Sequence, residues 1–392
     1  MTPIFIPPPL EPRDQQIIGE IRQIRTDLQS VLRLPQRWTG GLRRTTQARA
    51  IQGSNTIEGY TVTDSDAIAA VEDEEPLSAD QRTWAEIIGY RRVLTYVLNV
   101  AAQPGFVVDE AALNAMHFML LEHELSKQPG RYRSTPIYVH DDRTSRNVYE
   151  GPAPDRIPRL MRELATVLRT DSVTEPLIRA AMAHLNLVMI HPYRDGNGRM
   201  ACALQTLVLA QDAVLEPTFS SIEEWLGHNT EDYYAILAAT GRGRWQPDHD
   251  TLPWVRFNLR AHHLQAQTLQ RRFAEAEQLY QQLDETIARH RLPERVADPL
   301  FDALLGSRVT RPSYLRRVEA LEDRTATRDL ARLTELGLLE PHGQTRGRYY
   351  VAAGELADLR DALRRGRAPL SDPYPHLMAD IHRTLLEEQI SG

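Results

Sequence analysis

His191-Pro192-Tyr193-Arg194-Asp195-Gly196-Asn197-Gly198-Arg199 is the stretch that decides the reading of this chain. Before it, Leu177, Ile178, Ala181, Met182, Leu185, Val188 and Met189 recur at three- and four-residue spacing, which predicts a buried helix face that Pro192 stops just after His191. After it, Leu204, Leu207 and Val208 resume the helical spacing, so Asp195 to Gly198 form a tight connection and Arg199 falls in the first turn of a second helix. Fold class follows from the same periodicity along the rest of the chain, which is mainly α.

The composition of that connection suits an anion. Gly196 and Gly198 lack Cβ, so the backbone can enter left-handed conformations and a phosphate can approach the main chain at a helix N-terminus. Asp195 offers a hard oxygen to Mg2+, Asn197 a neutral donor to a phosphoryl oxygen, and Arg199 a forked cation to a diphosphate. His191, with an ordinary imidazole pKa near ~6.5, is suited to take a proton from an attacking hydroxyl. Taken singly, a Gly-Asn-Gly is a turn and a histidine after an apolar helix is structural; their coincidence points to chemistry.

The complete run resembles the signature His-x-Phe-x-(Asp/Glu)-Gly-Asn-Gly-Arg-x-x-Arg of the Fic family, with Tyr193 for Phe and Cys202 for the last Arg. Upstream, Ser54-Asn55-Thr56-Ile57-Glu58-Gly59 fits (Ser/Thr)-x-x-x-Glu-(Gly/Asn), which in Fic proteins marks an inhibitory helix that lays its glutamate into the nucleotide site. A carboxylate there repels a γ-phosphate, so ATP binds without its α-phosphate aligned for attack. In the family the glutamate pairs with the final motif arginine. With Cys202 at that position, Glu58 is held by Arg199, is held by another cation, or inhibits weakly.

Gly130-Arg131-Tyr132-Arg133, Ile137-Tyr138-Val139-His140 and Val148-Tyr149 carry the β-branched and aromatic bias of a hairpin, with Asp141, Asp142 and Asn147 as turn residues. This resembles the Fic flap, whose edge at Ile137 to His140 would pair with an extended target. Tyr233-Tyr234 fall where the family places an aromatic pair near adenine, with a core tyrosine pair as the alternative, and a family asparagine expected a turn later is replaced near Gly241.

With 42% hydrophobic and 25% charged residues in 392, the chain is an ordinary globular composition of two or more domains. A run of about 18 apolar residues is absent and the N-terminus lacks signal-peptide features, so a cytoplasmic protein without a membrane span is expected. A single cysteine fits a reducing compartment, and Cys202 is read as a packing residue. The net charge of −7 argues against broad attraction to nucleic acid or anionic membrane. The acidic cluster Glu72 to Glu75 reads as a solvated loop.

Beyond residue 258 a long amphipathic helix is expected from Ala261 to Arg289. Helices at Phe301–Leu305, Pro312–Leu321 and Ala326–Leu336 and a strand at Arg348–Val351 follow, in the manner of a winged helix-turn-helix. Thr325, Thr327, Arg328 and Arg332 would lie on its recognition helix, and Arg346 and Arg348 on its wing. Nine arginines against seven acids between Leu300 and Tyr350 are thin for DNA, and protein docking or dimerisation is the other use of such a unit.

The expected architecture is a Fic-type helical bundle with a short β-hairpin flap plus a C-terminal winged helix-turn-helix. Its parts are an N-terminal helical region (1–110) with the inhibitory motif, a catalytic core (111–258), a linking helix (259–295), the winged helix (296–352) and a helical tail (353–392). The resemblance implies transfer of AMP from ATP, with Mg2+, to a Ser, Thr or Tyr hydroxyl of a protein, itself included. His191 would be base, Asp195 metal ligand, Asp195 to Arg199 with Tyr233 and Tyr234 the nucleotide site, and Glu58 with Ser54 the inhibitory element. A homodimer follows from family habit. The alternatives are removal of AMP using Glu58 and His191, transfer of another group, against which Gly198 argues, and a DNA-binding regulator that uses the Fic fold as a nucleotide sensor.

Overall fold

A computed structural model of the chain describes residues 3–141, 146–212, 214–344 and 348–391. Ten helices precede the long one: α1 (Pro12–Leu32), α2 (Thr39–Ile57), α3 (Asp64–Glu72), α4 (Gln81–Val100), α5 (Glu110–Leu121), α6 (Ile157–Thr170), α7 (Pro176–Ile190), α8 (Asn197–Asp212), α9 (Glu223–His228) and α10 (Thr230–Gly241). Strands β1 (Tyr138–Asp141) and β2 (Arg146–Glu150) lie between α5 and α6, and β3 (Gly243–Arg244) follows α10. Then come α11 (Leu252–Arg289), α12 (Ala297–Leu304), α13 (Arg311–Arg317), α14 (Asp323–Glu335), β4 (Leu339–His342), β5 (Tyr349–Ala352), α15 (Gly354–Arg365) and α16 (Leu377–Ser391). Asp142 and Arg346, expected in the turn and the wing, lie outside the described residues, as does the side chain of His140.

Helices α7 and α8 form the centre. Pro176 opens α7 at its first turn, where its missing N–H costs nothing, and the Glu175 carboxylate caps the amides of Leu177 and Ile178. Nearly every residue of α7 and α8 is buried, as expected of helices that are apolar all round. Trp254 of α11 donates its indole N–H to Ala181 O at 2.8 Å. Asn186 of α7 exchanges both amide ends with the Phe5 backbone, at 2.9 and 3.0 Å, tying the N-terminal segment to the same core.

That core runs from Ile4 through Leu264 and takes in Met378 and Ile381 of α16. The expected divisions at 110, 258 and 353 therefore do not separate cores: α2, α4 and α5 cover α8, and the tail helix α16 covers α10. A second cluster joins Leu28, Trp38 and Leu42 to the lower half of α11 and to α12, α14, β4, β5 and α15. Within it α12 to β5 have the order of a winged helix-turn-helix, and Val309 bridges Tyr350 to add a third short pairing. Helix α13 stops at Arg317, short of the expected Leu321, because Val318 is extended and Ala320 left-handed at φ 56°. Arg324, Thr327, Arg328 and Arg332 lie on the exposed face of α14, with Thr325 half-buried.

The acidic cluster departs from expectation. Glu72 is largely buried, paired with Arg317 of α13 and at 3.4 Å with Arg44 of α2, and Glu74 meets Arg316 at 2.6 Å. Arg44 also reaches Asp302 of α12 at 2.7 Å. These acids are the seam between α2, α3 and the C-terminal unit, a role that a run of charges in one segment could not reveal without its partners some 240 positions on. Among the described residues no helix is long and apolar enough to cross a membrane.

The close crossing of α2 over α9 sets the height of α2 above α8. A Cβ on Gly53 would stand 2.1 Å from Glu223 O, and one on Gly227 2.4 Å from Gly53 Cα, so both positions require glycine. One turn further, α2 ends at Ile57 and delivers Glu58 to the start of α8.

Candidate active site

The turn between α7 and α8 is built by its own backbone demands. His191 ends α7 in the left-handed region at φ 50° and Gly196 repeats that region at φ 71°. Asn197 closes the loop: its Oδ1 accepts from Tyr193 N and its Nδ2 donates to Tyr193 O, both at 3.0 Å, with the side chain buried. The expected phosphoryl donor therefore has both amide ends on the backbone and acts on the shape of the turn. Tyr193, buried, stacks on His117 at 3.7 Å and donates to Asn114 Oδ1 at 3.0 Å, so a tyrosine fills the motif's phenylalanine slot and gains a partner for its hydroxyl.

His191 Nδ1 lies 3.3 Å from Val188 O. A carbonyl only accepts, which assigns the proton to Nδ1 and leaves Nε2 as the acceptor. Burial pushes the imidazolium down to about 4, against a small opposing effect of that carbonyl, so the ring is neutral near pH 7. Asp195 pairs with Lys127 at 2.9 Å and accepts from Gly196 N at 2.8 Å. Burial pushes its carboxyl up, but Lys127 and Gly196 outweigh this and hold it below the ordinary range.

Glu58 reaches the cradle. Its carboxylate accepts from Arg199 N at 3.2 Å and from Gly198 N. A Cβ on Gly198 would lie 2.6 Å from Glu58 Oε1, so a side chain here would push the docked carboxylate away. Burial raises the Glu58 pKa, with Asp195 adding to it, while Arg199 and the two amides oppose. No side-chain cation bonds it directly among the described contacts, which replaces the expected arginine pairing with main-chain donors. Ser54, one turn earlier, is fully buried beside Tyr90 and Cys202. Cys202 is itself buried and burial drives its thiol well above the ordinary range, as a packing residue should behave.

Arg199 has no exposure at all. Its Nη1 meets Glu86 Oε2 of α4 at 2.5 Å, while its Nε and Nη2 are buried with no partner. Two orphaned guanidinium donors beside an amide cradle form a site built for an anion. Nothing in the sequence marks Glu86, because α4 carries no motif.

Tyr233 is a core residue: buried, it bonds His184 Nε2 at 2.9 Å, so it is withdrawn from the nucleotide site expected for it. Tyr234 is half exposed and donates to Ile57 O at 2.6 Å, next to Glu58. Gly241 packs on Met189 and the Tyr149 ring.

The hairpin is shorter than expected, since Gly130 to Arg133 lie outside it. The sheet order is β1-β2-β3, so β2 is paired on both sides and β1 and the two-residue β3 are its edges, with Tyr138 exposed and Ile137 and Val139 partly buried. Arg133 fixes this hairpin to the turn between α7 and α8. Its guanidinium donates to His191 O and Pro152 O at 2.7 Å and to Thr135 O at 2.8 Å, and its amide donates to Pro192 O at 2.9 Å. An arginine whose partners are all carbonyls has no ion-pair signature in sequence. Arg133→Met is expected to strand these carbonyls at ~1–3 kcal/mol each where water cannot replace the donor. A lower urea midpoint and looser flap exchange of amide hydrogens would record it.

Residues 107–209 match the family model described as Fic/DOC family. The chain is 30% identical over 210 residues to the protein adenylyltransferase Fic of Nematostella vectensis, covering 53% of this chain and 45% of that one. It is 22% identical over 177 residues to a probable protein adenylyltransferase of Aquifex aeolicus, covering 44% of this chain and 54% of that one. The chain thus spans about half the length of these curated relatives. A crystal structure of a Fic family protein from Desulfovibrio desulfuricans G20 superposes with TM-score 0.57 at 24% identity, over 89% of this chain and 98% of that one. Fic-1 (residues 134–508) from Caenorhabditis elegans superposes with TM-score 0.52 at 21% identity, over 65% and 71%. These likenesses extend the shared fold well beyond residues 107–209.

Proposed function

We propose that this chain, which carries a Fic domain, transfers AMP from ATP to a hydroxyl of a protein and is held inactive by Glu58. The observation that carries the proposal is the Glu58 carboxylate on the Gly198 and Arg199 amides, with two unpartnered Arg199 donors alongside. That carboxylate stands where a phosphoryl oxygen of the nucleotide would be received. In the reaction the target hydroxyl oxygen bonds to the α-phosphorus, the bond from that phosphorus to the β-bridging oxygen breaks, and pyrophosphate leaves. The hydroxyl proton goes to His191 Nε2, which the Nδ1 contact with Val188 leaves free to accept it. The helix α8 amides and Arg199 receive the charge that accumulates on the departing oxygens.

The residues fit Mg2+ in its substrate-shared mode, with Asp195 as the one protein carboxylate and the phosphates as the remaining anionic ligands. Among the described residues no cluster of three His, Cys, Asp or Glu side chains forms a metal cage of its own. Bound there, the cation would neutralise phosphate charge, and Lys127 would give up its place on Asp195. The open β1 edge is the proposed seat of the target segment, and Tyr234 of the nucleoside.

Labelling with α-³²P ATP tests this. Label retained on protein by Glu58→Gly, and absent when the label is on the γ-phosphate, is the expected result; γ-label retention would mean phosphate transfer and overturn the proposal.

A further inference from the structure

The signature leaves a gap in this chain. The arginine that elsewhere pairs with the inhibitory glutamate is Cys202, buried among apolar residues, so something else must hold the end of α2 against α8. Two amide hydrogen bonds to a partly buried carboxylate are opposed by the cost of removing that carboxylate from water.

A second set of contacts lies two residues on. The Tyr60 hydroxyl donates to Glu86 Oε1 at 2.9 Å, and the Tyr60 ring lies under the Arg199 guanidinium at 5.4 Å. Glu86 uses its other oxygen on Arg199 Nη1, and His123 Nε2 stands 3.4 Å from Oε1. Glu86 is buried on α4, so its carboxylate cannot follow α2 if that helix end lifts. Burial alone would push the Glu86 carboxyl up, but Arg199, Tyr60 and His123 together hold it below the ordinary range. It is therefore an anion at neutral pH, fixed between the motif arginine and the inhibitory segment.

We infer that Glu86 is a positioning residue for Arg199, and that through Tyr60 the same carboxylate latches the inhibitory segment in place of the missing arginine. The geometry gives the two duties to opposite oxygens. Oε2 fixes one edge of the guanidinium and so aims Nε and Nη2, the orphaned pair. Oε1 holds Tyr60, and with it the turn that follows Glu58. Lifting Glu58 breaks the Tyr60 bond but leaves the Arg199 bond intact, so release of the segment exposes an arginine already oriented for phosphate. The inference rests on the nucleotide-site reading above.

The test uses the full chain and ATP titration by calorimetry, with transfer measured by α-³²P labelling. Tyr60→Phe keeps the ring over Arg199 and removes only the hydroxyl. It is expected to tighten ATP binding about 10-fold in the Glu58 chain, the loss of one hydrogen bond to a charged acceptor, and by less than about 2-fold in Glu58→Gly. Equal effects in both backgrounds, or none in the Glu58 chain, would overturn the latch. Glu86→Gln in the Glu58→Gly background is expected to lower the labelling rate about 10-fold while ATP affinity moves less than about 3-fold, with Glu86→Asp restoring part of the rate. An unchanged rate, or a loss confined to ATP affinity, would overturn the positioning role. Glu58→Gly that binds no ATP would overturn the nucleotide-site reading itself, an outcome separate from both.

Discussion

Glu58→Gly is expected to raise AMP transfer by on the order of 10²-fold over the unaltered chain, the largest gain any single substitution here should give. The cradle amides of Gly198 and Arg199 can bond one anion at a time, and an attached carboxylate competes with ATP without any loss of translational freedom. The two amide bonds are offset by the burial cost of the carboxylate, so the factor rests on the tether that holds this anion at the cradle. Glycine removes the competing anion, whose hydrogen bonds among the described residues go only to the Gly198 and Arg199 amides. The measurement is label incorporation at fixed ATP; a gain below about 3-fold would show that Glu58 is not the brake.

The same contact has a pH signature. Burial raises the docked Glu58 pKa above its value in the lifted, solvated segment, so protonation favours the docked form. Inhibition is therefore strongest at low pH and eases as pH rises through the docked pKa. The ratio of Glu58→Gly to unaltered activity should fall on going from acid to neutral pH, and a ratio that rises would contradict the burial of that carboxylate.

Local signals in the sequence located the turn, both flanking helices and the end of α2, because each is written in neighbouring residues: Pro192 after an apolar helix, two glycines, a Ser-x-x-x-Glu. What escaped is what depends on partners far along the chain. Arg133 bonds only carbonyls, Glu86 sits in a helix without a motif, and Glu72 and Glu74 read as solvent-facing until Arg316 and Arg317 are folded against them. Tyr233 and Tyr234 are adjacent and identical in type, yet helical geometry sends one to His184 in the core and the other to the surface at Ile57. The hydrophobic clusters cross the expected limits at 110, 258 and 353 for a related reason. Pro and Gly clusters mark where elements end, whereas a core is defined by which apolar faces meet, and α16 meets α10 from more than 130 positions away.

Loss of His191 should abolish transfer while leaving the nucleotide site in place. In the Glu58→Gly background, His191→Ala is expected to lower labelling ~10²–10⁴-fold, the usual worth of a positioned general base. ATP affinity should change less than about 3-fold, since in the proposed site the amides and Arg199, not the imidazole, would receive the phosphates. His191 sits at φ 50°, where alanine is strained by roughly 1–2 kcal/mol and asparagine is tolerated. His191→Asn therefore separates chemistry from backbone: both variants should be equally inactive, and recovery in the asparagine variant would mean that the turn conformation, not the imidazole, is what transfer requires. The acid limb of the Glu58→Gly rate profile should lie between the closed-site value of about 4 and the ordinary ~6.5, because water and bound phosphate both favour the imidazolium that burial disfavours. A rate that increases as pH falls through that window would require the protonated imidazole, and would remove His191 from the role of base.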